Sequence, residues 1–306
     1  MKHKIVVIGC GNVGLSYVEK LSAQINLAAE IVLIDLKENV IKGEVLDLQH
    51  GLTFVANQVE LRVGGYEDCR DADIICITAG IAQSQNDRLN DLEKTNVIIR
   101  DIIKQVMAYH FQGIFLVASN PLDVITYLVS YYADYPYQKV IGTGTMLDTA
   151  RLKTELVKKL AVAPDSITAY VLGEHGNSQF VAWNNANIGL QNINTLLTNL
   201  EKAELEETTR GMGSTIISYK NHTDHGIAYC LVRLTMAILT DEHCIFPVSN
   251  FHEKYDVYIS TPAVIGKGGI EKRIDMKLTA EEEEKLAASA VIIKEAIGTV
   301  LPPELY

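Results

Sequence analysis

KIVVIGCGNVG, residues 4–14, runs from a stretch of β-branched apolar residues into the pattern G-x-G-x-x-G at Gly9, Gly11 and Gly14. The apolar stretch predicts a buried strand, and the residues from Gly11 onward predict a helix. Glycine-rich turns are common, but this one lies between a strand and a helix. There the first glycine permits a tight turn, the second admits a pyrophosphate to the backbone, and the third lets the helix pack on the strand. The segment therefore predicts a dinucleotide-binding unit.

The end of the next predicted strand indicates which dinucleotide binds. Asp35 closes the apolar run 30–35 and stands 21 residues after Gly14. A carboxylate at this place binds the adenosine ribose hydroxyls and repels a 2′-phosphate. The alternative is that Asp35 is only a turn residue. We predict NAD as the cofactor rather than NADP.

Further apolar runs extend this unit into a sheet. Strands are predicted at 4–9, 30–35, 59–63, 73–80, 113–120 and 139–142. Helices are predicted between them at 11–24, 39–50, 89–109 and 122–133. Because the strands are almost continuously apolar, both faces of the sheet are expected to be covered by helices. The alternation predicts an α/β fold, a Rossmann doubly wound parallel sheet, over residues 1–143.

The pattern changes after residue 143. The elements predicted there are a helix at 146–160, short strand-like pieces that include 167–172, helices near 202–219 and 224–240, and strands around 245–265. Thr279 and Glu282 have the spacing of a capping box and open a final helix. Residues 144–306 are therefore expected to form a separate α+β substrate domain that packs against the first.

The composition excludes several classes of function. The chain has 306 residues, 48% of them apolar, and a net charge of −11. Nucleic-acid binding requires basic patches, so no nucleic-acid partner is expected. The apolar runs are too short to cross a membrane or to act as a signal segment. The five cysteines are odd in number and form no C-x-x-C pair, which indicates a reduced, cytoplasmic setting without a metal site.

Two short segments carry the candidate catalytic residues. In VLGEHGNSQF, glycines on both sides of His175 allow a sharp loop after a strand, and catalytic residues often lie on such loops. In TGTMLDTAR, Asp148 and Arg151 lie three residues apart at the start of a helix and therefore on one face. Two structural explanations stay open: Asp148 caps the helix with Thr145, and Arg151 is merely the i,i+3 partner of Asp148.

Motifs along the whole chain resemble those of one family. GCGNVG, ITAG, NDRLN, SNPLDVIT, GTGTMLDTAR, GEHGNS and PAVIGKGGI occur in the order and spacing of the L-lactate dehydrogenase family. VIGTGTMLDTAR and LGEHGNSQFVAW are most similar to its L-2-hydroxyisocaproate dehydrogenase branch. The resemblance implies a cytoplasmic, homotetrameric NAD-dependent oxidoreductase that interconverts small 2-oxo and L-2-hydroxy monocarboxylic acids. It also predicts that larger aliphatic side chains are accepted at least as well as the lactate methyl.

The resemblance implies a role for each candidate residue. His175 exchanges a proton with the substrate 2-oxygen, Asp148 pairs with it, and Arg151 holds the substrate carboxylate. Arg88, on a mobile loop over 81–92, polarises the substrate carbonyl. Other substrate contacts are expected from Asn120, Gln83 and Thr223. The cofactor is expected to contact Gly9, Gly11, Val13, Gly14, Asp35, Tyr66, Gly80, Ile81, Asn120 and Thr143.

Alternatives stay open at this point. The protein could instead be an L-lactate dehydrogenase, a malate dehydrogenase, an NAD-dependent glycosidase or a non-catalytic NAD-binding module. The segment IAQSQND contains no Arg or Lys, so a second carboxylate, as in malate, would enter without a cation. Gln83 stands where malate-specific members carry Arg. A glycosidase of this fold would need a divalent metal with a cysteine ligand. His222 and His225 are either surface residues or part of the pocket wall.

Overall fold

The first half of the chain alternates strands and helices, as predicted. The computed structural model describes residues 3–81 and 88–301. Its elements up to residue 142 are β1 (Lys4–Ile8), α1 (Asn12–Ser22), β2 (Glu30–Ile34), α2 (Glu38–Leu52), β3 (Glu60–Val63), β4 (Ile74–Ile77), α3 (Arg88–Ala108), β5 (Ile114–Val117), α4 (Leu122–Ala133) and β6 (Val140–Gly142). β4 and β5 end before residues 80 and 120, where they were predicted to end. The residues that follow form loops, in which Thr78 and Ser119 hydrogen-bond to backbone carbonyls.

The second half differs more from the prediction. Its elements are α5 (Met146–Leu160), β7 (Ile167–Thr168), β8 (Val171–Leu172), β9 (Phe180–Val181), β10 (Asn187–Ile188), β11 (Gln191–Asn192), α6 (Asn199–Lys220), α7 (His225–Leu239), β12 (Cys244–His252), β13 (Val257–Gly266), β14 (Gly269–Arg273) and α8 (Ala280–Val300). The predicted run 167–172 splits into β7 and β8, which belong to different small sheets. α6 begins earlier than predicted because Thr198 and Glu201 form a capping box. The predicted capping box that opens α8 is confirmed.

Nine strands form one sheet in the order β14-β13-β12-β6-β5-β4-β1-β2-β3. β1 to β6 are parallel and have the order 3-2-1-4-5-6 of doubly wound dinucleotide-binding folds, which confirms the predicted Rossmann fold. β12 pairs antiparallel with β6 where Ser249 faces Gly142, and β13 and β14 continue the sheet. The strands predicted around 245–265 therefore extend the first sheet across residue 143.

Helices cover both faces of this sheet. On one face α3, α4 and α8 enclose a core that includes Ile99 and Ile293. On the other face α1, α2 and α7 enclose a core that includes Val18 and Leu234. Because α7 and α8 follow residue 143, both cores combine the two halves of the chain. The two halves are thus held together by shared apolar cores as well as by the shared sheet.

The loops after β1 and β4 meet where the strand order reverses. Gly9 has φ +93°, and a Cβ at this residue would lie 2.4 Å from the backbone nitrogen of Ala79. A Cβ on Gly14 would lie 2.3 Å from the carbonyl oxygen of Gly9. Glycine is therefore required for strand, turn and helix to approach this closely. Doubly wound sheets bind ligands in the crevice at such a reversal, at the carboxyl ends of the strands.

Candidate active site

A cleft of about 620 Å³ opens at this crevice. Five of the predicted cofactor residues line it, namely Gly9, Gly11, Asp35, Tyr66 and Gly80. Part of its wall comes from α3, through Ile98, Asp101 and Ile102, which the sequence analysis did not assign to the site.

The cleft fits the phosphates of a dinucleotide. Gly11 is the N-cap of α1; it makes no side-chain cap, and the first turn of α1 carries no acidic residue. A Cβ on Gly11 would meet no described atom within 4 Å, so the backbone here borders open space. The N–H groups at a helix start need acceptors, and the helix dipole favours a negative charge. The loop and α1 therefore offer an anion site beside the glycine turn.

Asp35 lies at the end of β2, on the wall of the same cleft. One carboxylate oxygen accepts a hydrogen bond from the backbone N–H of Cys10 at 2.7 Å, and the other accepts from Lys37 N–H at 2.9 Å. These bonds hold the half-buried carboxylate between the glycine turn and the start of α2. The Lys37 bond makes Asp35 a turn residue as well, so the turn explanation and the cofactor explanation are compatible. The position of this carboxylate suits hydrogen bonds from the two hydroxyl groups of a ribose.

A second, smaller cavity of about 110 Å³ brings together residues far apart in the sequence. Six predicted site residues line it: Val13, Asn120, Thr143, Arg151, His175 and Thr223. A wider cleft of about 590 Å³, lined by Asn120, His175 and one side of α8, lies next to it. The candidate catalytic groups thus share one small space with residues predicted to contact cofactor and substrate.

His175 forms a short hydrogen bond with a buried carboxylate. Its Nδ1 lies 2.6 Å from Oδ2 of Asp148, which is 1% exposed, whereas the His175 side chain is 27% exposed. Thr145 is the N-cap residue of α5, but its hydroxyl donates to the carbonyl of Val171 and makes no capping bond, and its backbone N–H donates to the Ser260 hydroxyl and not to Asp148. The capping explanation for Asp148 is therefore wrong. With Asp148 ionised, Nδ1 is the donor, and Nε2 is left to exchange a proton.

The pKa values of this pair are shifted in opposite directions. Burial lowers the pKa of the His175 imidazole, but the Asp148 charge and the hydrogen bond to it outweigh burial, and the pKa lies above its ordinary 6.5. Burial raises the pKa of Asp148, but the charges of His175 and Arg151 outweigh burial and hold the pKa below 3.8. The pair therefore favours an imidazolium next to a carboxylate near neutral pH.

Arg151 is more than an i,i+3 partner of Asp148. One terminal nitrogen, Nη1, donates to Asp148 Oδ1 at 2.8 Å. Its Nε is buried and has no hydrogen-bond partner among the described residues. The side chain is 12% exposed and borders the small cavity. A buried guanidinium with an unsatisfied donor is a fitting partner for a planar anion such as a carboxylate.

The remaining predicted residues are only partly covered by the described chain. Gln83 and the side chain of Arg88 fall outside the described residues, and so does the whole segment between them. Ile81 is partly exposed, and its N–H donates to Thr95 Oγ1 at 3.4 Å. His222 and His225 have side chains 40% and 66% exposed, consistent with surface residues.

One carboxylate in contact with the catalytic loop was not predicted from the sequence. Asp123, in the first turn of α4, is 2% exposed. Its Oδ2 accepts a hydrogen bond from the backbone N–H of His175 at 2.7 Å, and its Oδ1 accepts from the Ser249 hydroxyl at 2.5 Å. Asp123 stands in the motif SNPLDVIT, three residues after Asn120, and a carboxylate in an apolar helix start was the only signal.

Comparisons with known proteins agree with this geometry. A family model described as lactate/malate dehydrogenase, NAD binding domain, matches residues 3–142, and one described as lactate/malate dehydrogenase, alpha/beta C-terminal domain, matches residues 145–302. The chain is 40% identical over 300 residues to an L-lactate dehydrogenase of Halalkalibacterium halodurans, covering 96% of each protein.

Two solved structures are similar over nearly the whole chain. One is a lactate dehydrogenase from a deep-sea metagenome library, with a TM-score of 0.94, 36% identity, and coverage of 98% of this chain and 99% of that one. The other is the ligand-bound minor L-lactate dehydrogenase of Enterococcus mundtii, with a TM-score of 0.95, 35% identity and the same coverage.

Proposed function

Since the chain belongs to the lactate/malate dehydrogenase family, we propose that it is an L-lactate dehydrogenase, which reduces pyruvate to L-lactate with NADH and catalyses the reverse reaction. As a family member it is an NAD-dependent oxidoreductase that acts on the CH–OH group of a 2-hydroxy acid. The observation that carries the proposal is the short hydrogen bond between His175 and the buried Asp148, next to Arg151, whose Nε has no hydrogen-bond partner among the described residues.

The candidate site residues have distinct parts in the proposed reaction. Arg151 binds the substrate carboxylate through its planar guanidinium, which holds the 2-oxo group near His175. Bound NADH supplies the hydride that reduces the carbonyl carbon. The His175 imidazolium donates its Nε2 proton to the carbonyl oxygen, where negative charge develops, and Asp148 stabilises the imidazolium. The neutral imidazole takes the proton back in lactate oxidation. Asn120 and Thr223 border the substrate, and Arg88 polarises its carbonyl.

The proposal replaces the more specific expectation of an L-2-hydroxyisocaproate dehydrogenase. The relatives reported above are named lactate dehydrogenases, which supports pyruvate and lactate as the substrate pair. The isocaproate-like segments lie around Asp148 and His175, which serve any 2-hydroxy acid and therefore say little about the substrate side chain. Malate is disfavoured because Gln83 offers no cation for a second carboxylate.

Three further expectations are part of the proposal. NAD is used in preference to NADP because Asp35 repels a 2′-phosphate. The chain divides into a cofactor-binding part, 1–143, and a substrate part, 144–306, a division that the two family-model matches support. The enzyme acts in the cytoplasm as a homotetramer. None of the described helices has the length and apolar character needed to span a bilayer.

A substrate panel tests the proposal. The ratio of kcat/KM for pyruvate to that for 2-oxoisocaproate is the deciding quantity. Isocaproate has three more carbons than lactate; at about 0.8 kcal/mol per carbon, a pocket that cannot hold them discriminates by about 2.4 kcal/mol, or roughly 60-fold. A ratio below one would assign the protein to the isocaproate branch, and preferred turnover of oxaloacetate would make it a malate dehydrogenase.

One variant separates catalysis from cofactor binding. His175→Ala is expected to abolish turnover and to retain NADH binding, measured by fluorescence titration, because the imidazole acts on the substrate. His50→Ala, which changes an exposed histidine on α2, is the matched control and is expected to keep full activity. Bound NADH without turnover of any 2-oxo acid in the unaltered protein would indicate a non-catalytic NAD-binding module.

A further inference from the structure

A histidine and two carboxylates meet at two turns outside the active site. Asp241 and His243 lie in the turn between α7 and β12, and Glu271 lies in β14, just after the hairpin turn that follows β13. One ligand atom from each of the three side chains lies within 4.8 Å of the other two. Among the residues that the structure describes, no other group of His, Cys, Asp and Glu side chains has this geometry. The cluster contains no cysteine, so the spacing of the cysteines gave no indication of it.

The contacts of His243 leave one of its ring nitrogens facing an acceptor. Nδ1 lies 3.1 Å from the backbone carbonyl of Asp241, which only accepts, so Nδ1 carries a hydrogen. In a neutral imidazole Nε2 then presents a lone pair, and Oε2 of Glu271 lies 2.8 Å from it. Two lone pairs at this distance repel each other unless a proton or a metal ion lies next to both. A backbone carbonyl that binds the second ring nitrogen is also typical of a histidine that binds a metal.

The distances fit a first-row divalent cation. Zn²⁺ lies about 2.0–2.2 Å from imidazole nitrogens and carboxylate oxygens, so two ligands at a right angle are about 2.9 Å apart and two at a tetrahedral angle about 3.4 Å apart. Nε2 of His243 lies 2.8 Å from Oε2 of Glu271 and 3.8 Å from Oδ1 of Asp241. Because Ca²⁺ and Mg²⁺ prefer oxygen ligands, a set that includes an imidazole favours a cation such as Zn²⁺.

Gly266 allows the two carboxylates to converge. A Cβ on Gly266 would lie 2.4 Å from Oε1 of Glu271 and 2.9 Å from Oδ1 of Asp241, so both carboxylates occupy the place of a side chain at this residue. The N–H of Lys267 donates to Asp241 Oδ1 at 2.9 Å and holds that carboxylate against the hairpin. The Lys267 ammonium lies 3.4 Å from Asp241 Oδ2, but its side chain is 78% exposed and can turn to solvent. A metal ion that binds here therefore displaces one exposed ammonium.

We propose that Asp241, His243 and Glu271 form a binding site for a divalent transition-metal ion such as Zn²⁺, with water in the other coordination positions. The three side chains are 33%, 52% and 30% exposed, so water reaches the site. Ile227, in the first turn of α7, borders the small cavity, and the 15 residues of α7 extend about 20 Å from there to the turn that carries Asp241. The ion thus joins two turns and takes no part in the reaction at His175, and the site does not depend on the proposed function.

Zn²⁺ binding is measured on the untagged full-length protein after treatment with a chelator. We expect isothermal titration calorimetry to show one strong site per chain, and the melting temperature to rise by about 3–6 °C at a Zn²⁺ concentration of about 100 times the dissociation constant. His243→Asn removes the imidazole and introduces a residue that tolerates the φ of +55° at this position. Its Zn²⁺ affinity should fall at least about tenfold, as should that of Glu271→Gln.

Two glycine substitutions test the geometry without removing a ligand. Gly266→Ala places a methyl group against the carboxylates of Glu271 and Asp241, which are the flexible ends of their side chains and can move aside. We therefore expect this variant to fold and its Zn²⁺ affinity to fall at least about tenfold. Gly268→Ala, in the same hairpin, is the matched control, because the nearest described atom to its Cβ would be Oε1 of Glu271, at 3.8 Å. Its affinity should equal that of the unaltered protein.

The two possible results differ clearly. If affinity falls in His243→Asn, Glu271→Gln and Gly266→Ala but not in Gly268→Ala, the site is supported, and should one of the three fail to fold, the other two decide. If the unaltered protein binds Zn²⁺ no more tightly than His243→Asn and Gly266→Ala do, His243 and Glu271 form only a surface ion pair and the proposal is overturned. Failure of the unaltered protein to turn over any 2-oxo acid would overturn the proposed function and leave the metal site unaffected.

Discussion

Removal of the Asp148 charge tests the central interaction of the site. Asp148→Asn keeps the size of the side chain, and the amide oxygen can still accept a hydrogen bond from His175 Nδ1. The substitution removes the negative charge of Asp148, whose Oδ2 lies 2.6 Å from His175 Nδ1 and whose side chain is 1% exposed. Burial and Arg151, which both disfavour the imidazolium, stay in place. The pKa of His175 is therefore expected to fall.

The size of the effect follows from the burial of the bond. A hydrogen bond to a charged group contributes about 1.5–3 kcal/mol, and this bond lies in a place where solvent screens little. Lost stabilisation of the imidazolium in that range corresponds to roughly a 10- to 150-fold fall in kcat/KM for pyruvate above the pKa of His175. The two directions respond differently, because lactate oxidation needs the neutral imidazole. Lactate oxidation should therefore stay active to lower pH in Asp148→Asn, whereas pyruvate reduction should lose activity at the high end of its pH range.

The assay follows NADH absorbance for both directions between about pH 5.5 and 9, with active sites counted by NADH titration. Asp47→Asn serves as the control, because it removes one exposed carboxylate far from His175 in the sequence. We expect the fall in pyruvate reduction to be largest at high pH and to become smaller as the pH is lowered. An equal loss of both directions at every pH would mean that Asp148 acts by geometry alone. Activity matching that of Asp47→Asn would refute the role of the pair.

Three other substitutions test the substrate and cofactor assignments. Arg151→Lys removes the planar two-point contact, and we expect the KM for pyruvate to rise about tenfold or more while the NADH dissociation constant is unchanged; an unaltered KM would contradict the role of Arg151. Asp35→Ser should narrow the preference for NADH over NADPH by at least about tenfold, measured as the ratio of kcat/KM, because it removes a like-charge contact that costs several kcal/mol. Gln83→Arg should raise kcat/KM for oxaloacetate by about tenfold, since it pairs the second carboxylate; no gain would place Gln83 away from the substrate.

The cofactor half of the site could be predicted because its determinants are local. Gly9, Gly11 and Gly14 act within one turn, and their spacing after an apolar strand specifies both the turn and the start of α1. Asp35 was found for the same reason, since it ends a strand whose place in the sheet follows from the βαβ rule. The lengths of β4 and β5 were overestimated because strand pairing stops at Ile77 and Val117, and the small and polar residues that follow form loops at the site.

The substrate half depends on contacts between distant parts of the chain. β12 extends the first sheet and α7 covers one of its faces, and neither arrangement has a local signal. Apolar periodicity indicates that α7 is buried but not against which partner. His175 and Asp148 were paired through the family resemblance, because 27 residues separate them and their spacing alone does not require contact.

A comparison of Asp123 with Asp148 explains why Asp123 was not predicted from the sequence. Asp123 and Asp148 each stand in the first turn of a helix, where a carboxylate favours the helix dipole, and in the sequence they look alike. The tertiary structure gives them opposite surroundings. Asp148 lies between two cationic side chains that hold its pKa low, whereas the hydrogen bonds to Asp123 come from a backbone N–H and a hydroxyl, and burial raises its pKa. The first can therefore keep an imidazolium charged, and the second can hold the backbone that presents it. The groups that the tertiary structure places next to each carboxylate therefore determine its role.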